Sequence, residues 1–294
     1  MAETPKTLNR YDYVGPFAST LVIDAVNSYF DTNVPATPPA KEIEDYGPQL
    51  EAINKSLVQL GSDLGIDTST RLRGHEFTHI FPADQYHTVN RHFGRREGVT
   101  GTTFLSGHIY VSESDSLTNT LGTASHEAIH RVERKSINPR PTDIGLDISQ
   151  GTFHAGYSNE RTGAFNGLRE SLIEMTNIDL IRNYWGNYPE LPDTEEQPYT
   201  RLGYEPSITL MDEIISQAPE PRELFKKLQC GLIIGRMAAL RELVPIVGQR
   251  GMKELSSMDP YSAFDVRNIA ATLGLKDTID KIDARDTSGL MKWL

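Results

Sequence analysis

The sequence has almost no cysteine, no excess of positive charge and no long uninterrupted apolar run. Its single cysteine, Cys230, excludes an internal disulfide and a metal site of the CxxC kind. Lys and Arg total 29 against 40 Asp and Glu, a net charge of −11, which argues against a nucleic-acid-binding surface. The most apolar stretch, Leu228–Gly248, is interrupted by Arg236, Arg241 and Glu242, and therefore does not predict a membrane span.

The remaining composition is that of a folded protein. Hydrophobic residues make up 38% and charged residues 23% of the 294 positions, enough to fill a core. This length predicts one large domain or two smaller ones that share an interface. The N-terminal residues are polar and lead into no apolar segment, so we expect no secretory signal and a cytoplasmic protein.

The chain divides into three predicted segments. Residues 1–48 form an N-terminal arm with a helical pattern at Leu21–Phe30 and a proline-rich connector, which leaves open that the arm covers a functional site. Residues 49–140 form an α/β sub-domain and residues 141–294 a helical one, so the predicted fold class is α+β. The predicted helices are Leu50–Leu64, Leu117–Val132, Phe165–Ile178, Ile208–Ile215, Leu224–Arg241 and Pro260–Leu273, and the predicted strands are Glu76–Phe81, Thr102–Leu105 and His108–Val111.

The motif His-Glu-x-x-His occurs twice, at His75–His79 and at His126–His130. Chance predicts about 0.016 matches in a chain of this composition. On a helix, the two imidazoles lie on one face and can share a metal ion, with the intervening Glu beside them. On a strand, they lie about 13 Å apart, too far to bind one ion. The secondary structure of each copy therefore decides its function.

The first copy is predicted to be a strand. Gly74 precedes it, aromatic and β-branched residues surround it, and Pro82 follows three residues after His79. The second copy lies within the helical pattern Leu117–Val132 and predicts the metal-binding pair. The alternative for His126 and His130 is an ordinary pair of core or surface histidines.

A catalytic metal site needs a third protein ligand. Glu170 and Glu174 lie four residues apart on one face of the predicted helix Phe165–Ile178. Two like charges at this spacing repel each other unless a cation lies nearby, which favours Glu170 as the ligand. The alternative is that both are ordinary solvated acids.

His126-Glu127-x-x-His130, followed by Leu-x-Glu170-x-Leu-x-Glu174, resembles the gluzincin branch of zinc metallopeptidases. The resemblance implies a zincin-like fold, one Zn²⁺ per chain and hydrolysis of peptide bonds in a peptide or protein substrate. It implies that His126, His130 and Glu170 bind zinc, that Glu127 is the general base and acid, and that Glu174 orients the first histidine.

The resemblance also implies a substrate-aligning edge strand, for which Gly107–Val111 is the candidate, and a donor to the oxyanion. Tyr204 is the first candidate donor, ahead of Tyr199, Tyr157 and His154.

Three residues depart from the family pattern: Arg131, Arg169 and Ser171. We expect these departures to affect the substrate and the efficiency more than metal binding. Two other function classes stay open: a non-catalytic zinc-binding regulatory or interaction protein, and an interaction module without metal. Manganese and cobalt also accept the predicted His₂-carboxylate ligand set.

Overall fold

A computed structural model describes residues 35–95, 98–104, 106–133, 163–200 and 204–294, with Ser28 and the backbone of strands within 6–7, 12–13, 135–142, 145–155 and 158–159. The helix predicted for Leu21–Phe30 lies outside the described residues apart from Ser28. The chain forms two compact units. One comprises 1–10, 19–132 and 177–201, and the other 11–18, 133–176 and 202–294. The three predicted sequence segments stay a prediction.

The structure is a mixed α+β arrangement, as the sequence predicts. The helices are α1 (Gly47–Asp63), α2 (Ala83–His92), α3 (Leu117–Val132), α4 (Asn166–Asn183), α5 (Glu205–Ser216), α6 (Pro221–Ile234), α7 (Val244–Ser256), α8 (Ala263–Thr272) and α9 (Lys276–Ala284). The strands are β1 (Lys6–Thr7), β2 (Asp12–Tyr13), β3 (Ile66–Asp67), β4 (Thr78–Phe81), β5 (Gly101–Thr103), β6 (Ile109–Ser112), β7 (Lys135–Thr142), β8 (Gly145–Ala155) and β9 (Ser158–Asn159).

The first unit contains a three-stranded sheet in the order β4-β6-β5. Strand β4 is parallel to β6, and β5 is antiparallel to it. Helix α3 packs against β5 and β6. The prediction that Gly107–Val111 is an edge strand is wrong, because β6 lies between two strands and all four of its residues are buried. Within the described residues, β5 is an edge strand of this sheet.

Helix α3 begins and ends where the sequence predicts. Its residues from Thr118 to Val132 are all buried, so α3 is surrounded by protein on every side. Gly122 allows the aromatic ring of Tyr199 to pack closely against α3. A Cβ atom at Gly122 would lie 2.3 Å from Cε2 of Tyr199, and Asn177 Nδ2 donates to the Gly122 carbonyl oxygen at 3.1 Å.

The second unit contains a sheet in the order β2-β7-β8-β9 and the helices α5 to α9, of which α5, α8 and α9 pack on one another. The long β7–β8 hairpin was not predicted from the sequence. Pro139 and Pro141 lie within β7, and the register shifts between Asn138 and Arg140. Proline removes a donor from the strand ladder, and it is therefore read as a signal against a strand.

The single helix predicted for Leu224–Arg241 is wrong. Helix α6 ends at Ile234, because Gly235 adopts a left-handed conformation with φ of 67° and Arg236 N donates to the Gly231 carbonyl oxygen at 2.8 Å. A 3₁₀ helix, Met237–Leu243, follows. Among the described residues, no helix has both the length and the apolar character needed to cross a bilayer.

We predict that Gly122→Ala destabilises the protein by about 1–3 kcal/mol, because the added methyl group overlaps the Tyr199 ring. Alanine would otherwise favour the helix by about 1 kcal/mol. Gly186→Ala is the matched control, since a Cβ there meets no atom within 4 Å. Urea denaturation midpoints test the prediction, and equal midpoints for the two variants would contradict it.

Candidate metal centre

Helix α3 presents its two motif histidines to a common point. Nε2 of His126 and Nε2 of His130 lie 3.2 Å apart, and the ring planes are inclined by 68°. Two nitrogen ligands of a tetrahedral ion, each bound at about 2.0–2.1 Å, lie about 3.3 Å apart. Both histidines are buried. The pair therefore has the spacing that one metal ion requires.

Glu170, on α4, completes the group. The ligand atoms of His126, His130 and Glu170 all lie within 4.8 Å of one another, and all three residues are buried. The structure thus brings together the three predicted ligands in a group that could hold a metal ion. Two imidazoles and one carboxylate are a donor set that suits a divalent transition metal.

Glu170 and Glu174 are not solvated acids. Their exposed fractions are 7% and 1%, which excludes that alternative for both. Glu174 lies one turn after Glu170 on α4. Its predicted role in orienting His126 stays a prediction.

Glu127 lies against strand β5. The Thr103 hydroxyl lies 2.7 Å from Glu127 Oε2 and 2.8 Å from the Glu127 carbonyl oxygen, and can donate to either. A Cβ atom at Gly101 would lie 2.6 Å from Oε1, so a larger residue there would displace the carboxylate from this position. The general base predicted from the motif is therefore positioned by the edge of the sheet. Its catalytic role stays a prediction.

An ion-pair network beside Glu170 was missed by the sequence analysis. Arg169 Nε donates to Glu133 Oε2 at 2.8 Å, and its Nη2 donates to Glu133 Oε1. The third nitrogen, Nη1, donates to Glu170 Oε1 at 2.8 Å. Arg169 adjoins a predicted ligand, but Glu133 is 36 residues away, and no local pattern links them.

Arg131, the departure that follows His130, anchors α3 to β4. It is 3% exposed, and its Nη2 donates to the Phe77 carbonyl oxygen and to the Thr78 hydroxyl at 3.2 and 3.1 Å. Thr78 and Thr103 both pair with Ile109 of β6. Arg131 and Glu127, one turn apart on α3, thus contact β4 and β5, the two strands on either side of β6, at the same level of the sheet.

The first copy of the motif is not α-helical, but the strand predicted for Glu76–Phe81 is shorter than expected. His75–Phe77 form a 3₁₀ helix and β4 begins at Thr78, so only the second motif histidine, His79, lies in the strand. His79 Nε2 lies 3.0 Å from Nδ1 of His108, with the two rings within 6° of parallel, and His79 Nδ1 lies 2.9 Å from Glu42 Oε2. This is a hydrogen-bonded chain between strands.

The surroundings of His108 disfavour the protonated form of its imidazole. Burial, and then the nearby charges of His79, Arg131 and Arg73, together lower the pKa of His108 to about 4. His108 is therefore neutral in the folded protein at neutral pH. One ring nitrogen of the His79–His108 pair donates and the other accepts.

Tyr204 lies in the second unit at the start of α5. Its backbone is left-handed with φ of 64°, and its hydroxyl lies 3.1 Å from that of Tyr261. Both tyrosines line a cavity of 280 Å³, whose wall also contains Arg285. Of the other candidate donors, Tyr199 packs on Gly122, while Tyr157 and the side chain of His154 lie outside the described residues. The oxyanion role of Tyr204 stays a prediction.

We predict that the protein loses stability as the pH falls from about 6.5 towards 4. In the unfolded chain, His108 takes up a proton at the ordinary pKa of 6.5, whereas in the folded chain it does so only near pH 4. The unfolded state then binds more protons, which favours unfolding. Urea unfolding of wild type and His108→Gln between pH 7 and pH 4.5 tests this. The wild type should show the steeper loss, and equal slopes would contradict the prediction.

Comparison with family models, with curated proteins and with solved structures finds no match to this chain. Any assignment of function therefore depends on the side chains gathered on α3 and α4.

Proposed function

We propose that this chain is a zinc-dependent metallopeptidase. The observation that carries the proposal is the buried group of His126, His130 and Glu170, with its ligand atoms within 4.8 Å of one another. The two histidines come from one helix at the i, i+4 spacing, and the glutamate comes from a second helix. This is the ligand arrangement implied by the resemblance to gluzincins.

Among the described residues the group has three ligands, which favours a catalytic rather than a structural zinc site. Structural sites use four protein ligands, whereas catalytic sites use three and keep one position for water or substrate. A bound zinc ion would supply a Lewis acid that polarises the scissile carbonyl and makes water more acidic. Cobalt and manganese are acceptable substitutes for the same ligands.

The resemblance to gluzincins supplies the roles of the other residues. Glu127 takes a proton from the attacking water and passes it to the leaving amine. Glu174, buried on α4, orients the first histidine, and Tyr204 donates to the oxyanion. A peptide substrate aligns on β5, the edge strand whose Gly101 and Thr103 contact the Glu127 carboxylate.

We predict about one zinc ion per purified chain, measured by elemental mass spectrometry. His126→Ala should lose the metal, because two ligands do not make a stable site. His75→Ala, in the other copy of the motif, is the matched control and should keep it. Loss of zinc in His75→Ala alone would mean that the first copy binds the metal. Absence of zinc from every sample after reconstitution would overturn the proposal.

We predict that Glu127→Gln keeps its zinc and loses peptide hydrolysis by about a thousandfold, because the amide cannot accept the proton. The Gln side chain keeps the shape of Glu and can still accept from Thr103, so the fold is preserved. Turnover of a fluorogenic peptide library and metal content, measured on the same preparation, provide the test. A zinc-loaded wild type that cleaves no peptide would instead support the non-catalytic alternative.

A further inference from the structure

Arg169 is held by a carboxylate that has no contact with solvent. Glu133 is 0% exposed and directly follows the last residue of α3. Its two oxygens accept from Nε and Nη2 of Arg169, which is a bidentate pair. A buried carboxylate is strongly unfavourable without such a partner. The position and the direction of the guanidinium are therefore set by Glu133.

The remaining nitrogen of Arg169 reaches a predicted metal ligand. Nη1 donates to Oε1 of Glu170 at 2.8 Å. Oε1 thereby accepts a charge-assisted hydrogen bond, which limits the directions in which the Glu170 carboxylate can point. Arg169 precedes Glu170 in the chain, so the main chain of α4 also limits how the two side chains can move apart.

The ion pair with Glu133 limits the number of hydrogen bonds that Arg169 can donate to Glu170. A guanidinium presents two adjacent donors to a carboxylate when it is unconstrained, and such a bidentate pair would occupy both oxygens of Glu170. Here two of its three nitrogens are committed to Glu133, and only one reaches Glu170. A carboxylate that orients a basic group beside a metal ligand is a known means of tuning metal affinity.

We propose that Arg169 is a positioning residue that fixes the orientation of the Glu170 carboxylate at the metal centre, and that Glu133 is its anchor. The inference rests on the proposed metal centre. It goes beyond the predicted set of site residues, because neither Arg169 nor Glu133 was assigned a role there. It also gives Arg169, one of the three departures from the gluzincin pattern, a function at the metal centre.

The test is zinc affinity, measured by competition with a chromophoric chelator on the full chain. Arg169→Gln should weaken zinc binding by about 10–100-fold, and Arg169→Lys, which keeps the charge and loses the fork, should weaken it less. Glu133→Gln should also weaken binding, because the released guanidinium then competes with the metal for Glu170. Arg182→Gln, an exposed position on the same helix, is the matched control and should bind like the wild type.

A purely structural role must be separated from positioning, since Arg169→Gln also removes the bidentate partner of the buried Glu133 carboxylate. The double variant Glu133→Gln with Arg169→Gln removes both charges and should restore the denaturation midpoint of the metal-free protein without restoring zinc affinity. The visible spectrum of the cobalt-loaded protein is the second readout. It should differ between the wild type and Arg169→Gln, because the Glu170 carboxylate would then have lost the donor that fixes its orientation.

The outcomes are distinct. Wild-type zinc affinity and an unchanged cobalt spectrum in Arg169→Gln would overturn the inference, as would a double variant that recovers zinc affinity together with stability. A wild-type chain that shows the expected affinities and cleaves no peptide would overturn the peptidase proposal and leave the inference standing. A wild-type chain that binds no zinc would overturn both.

Discussion

The ion pair between Arg169 and Glu133 is the interaction on which the candidate metal centre depends. Glu133 has no exposed surface, and breaking a buried ion pair of this kind by removing one partner costs about 3–5 kcal/mol. The same guanidinium contacts Glu170, so the geometry of a predicted ligand is tied to the stability of the fold. Because Arg169 and Glu170 are adjacent on α4, a change in one necessarily alters the surroundings of the other.

Helix α3 contains several polar and charged residues although it is buried. His126, Glu127, His130 and Arg131 are all buried there among apolar residues such as Ile129. Buried polar groups are tolerated when they are paired. Glu127 accepts from Thr103, Nη2 of Arg131 donates to the start of β4, and the Nε2 atoms of the two histidines lie 3.2 Å apart. A divalent ion that binds only the folded chain would stabilise it through mass action, so metal and fold are thermodynamically linked.

The features that were predicted best from the sequence are those determined by a local residue pattern. Helix α3 has the predicted bounds because its apolar stripe is continuous, whereas α6 stops short of its predicted end because Gly235 adopts a left-handed conformation that periodicity does not reveal. Strand β7 was missed because prolines argue against strands. The three ligands were predicted from spacing and family resemblance. Glu133 was not, because it meets Arg169 only through the tertiary fold, and no regular spacing relates a residue after α3 to one on α4.

The two copies of the His-Glu-x-x-His motif show that the secondary structure of the motif decides whether its histidines can share a metal ion. On α3, the i, i+4 spacing turns two imidazoles towards one point, with their planes inclined by 68° and their Nε2 atoms 3.2 Å apart. At the start of β4, His75 and His79 belong to different elements, and His79 instead meets His108 of a neighbouring strand in a nearly coplanar hydrogen bond. Both pairs bring two ring nitrogens to about the same separation. Inclined rings direct their lone pairs to a shared ion, whereas coplanar rings place one N–H opposite the other lone pair, so ring orientation rather than distance separates a candidate metal ligand pair from a structural contact.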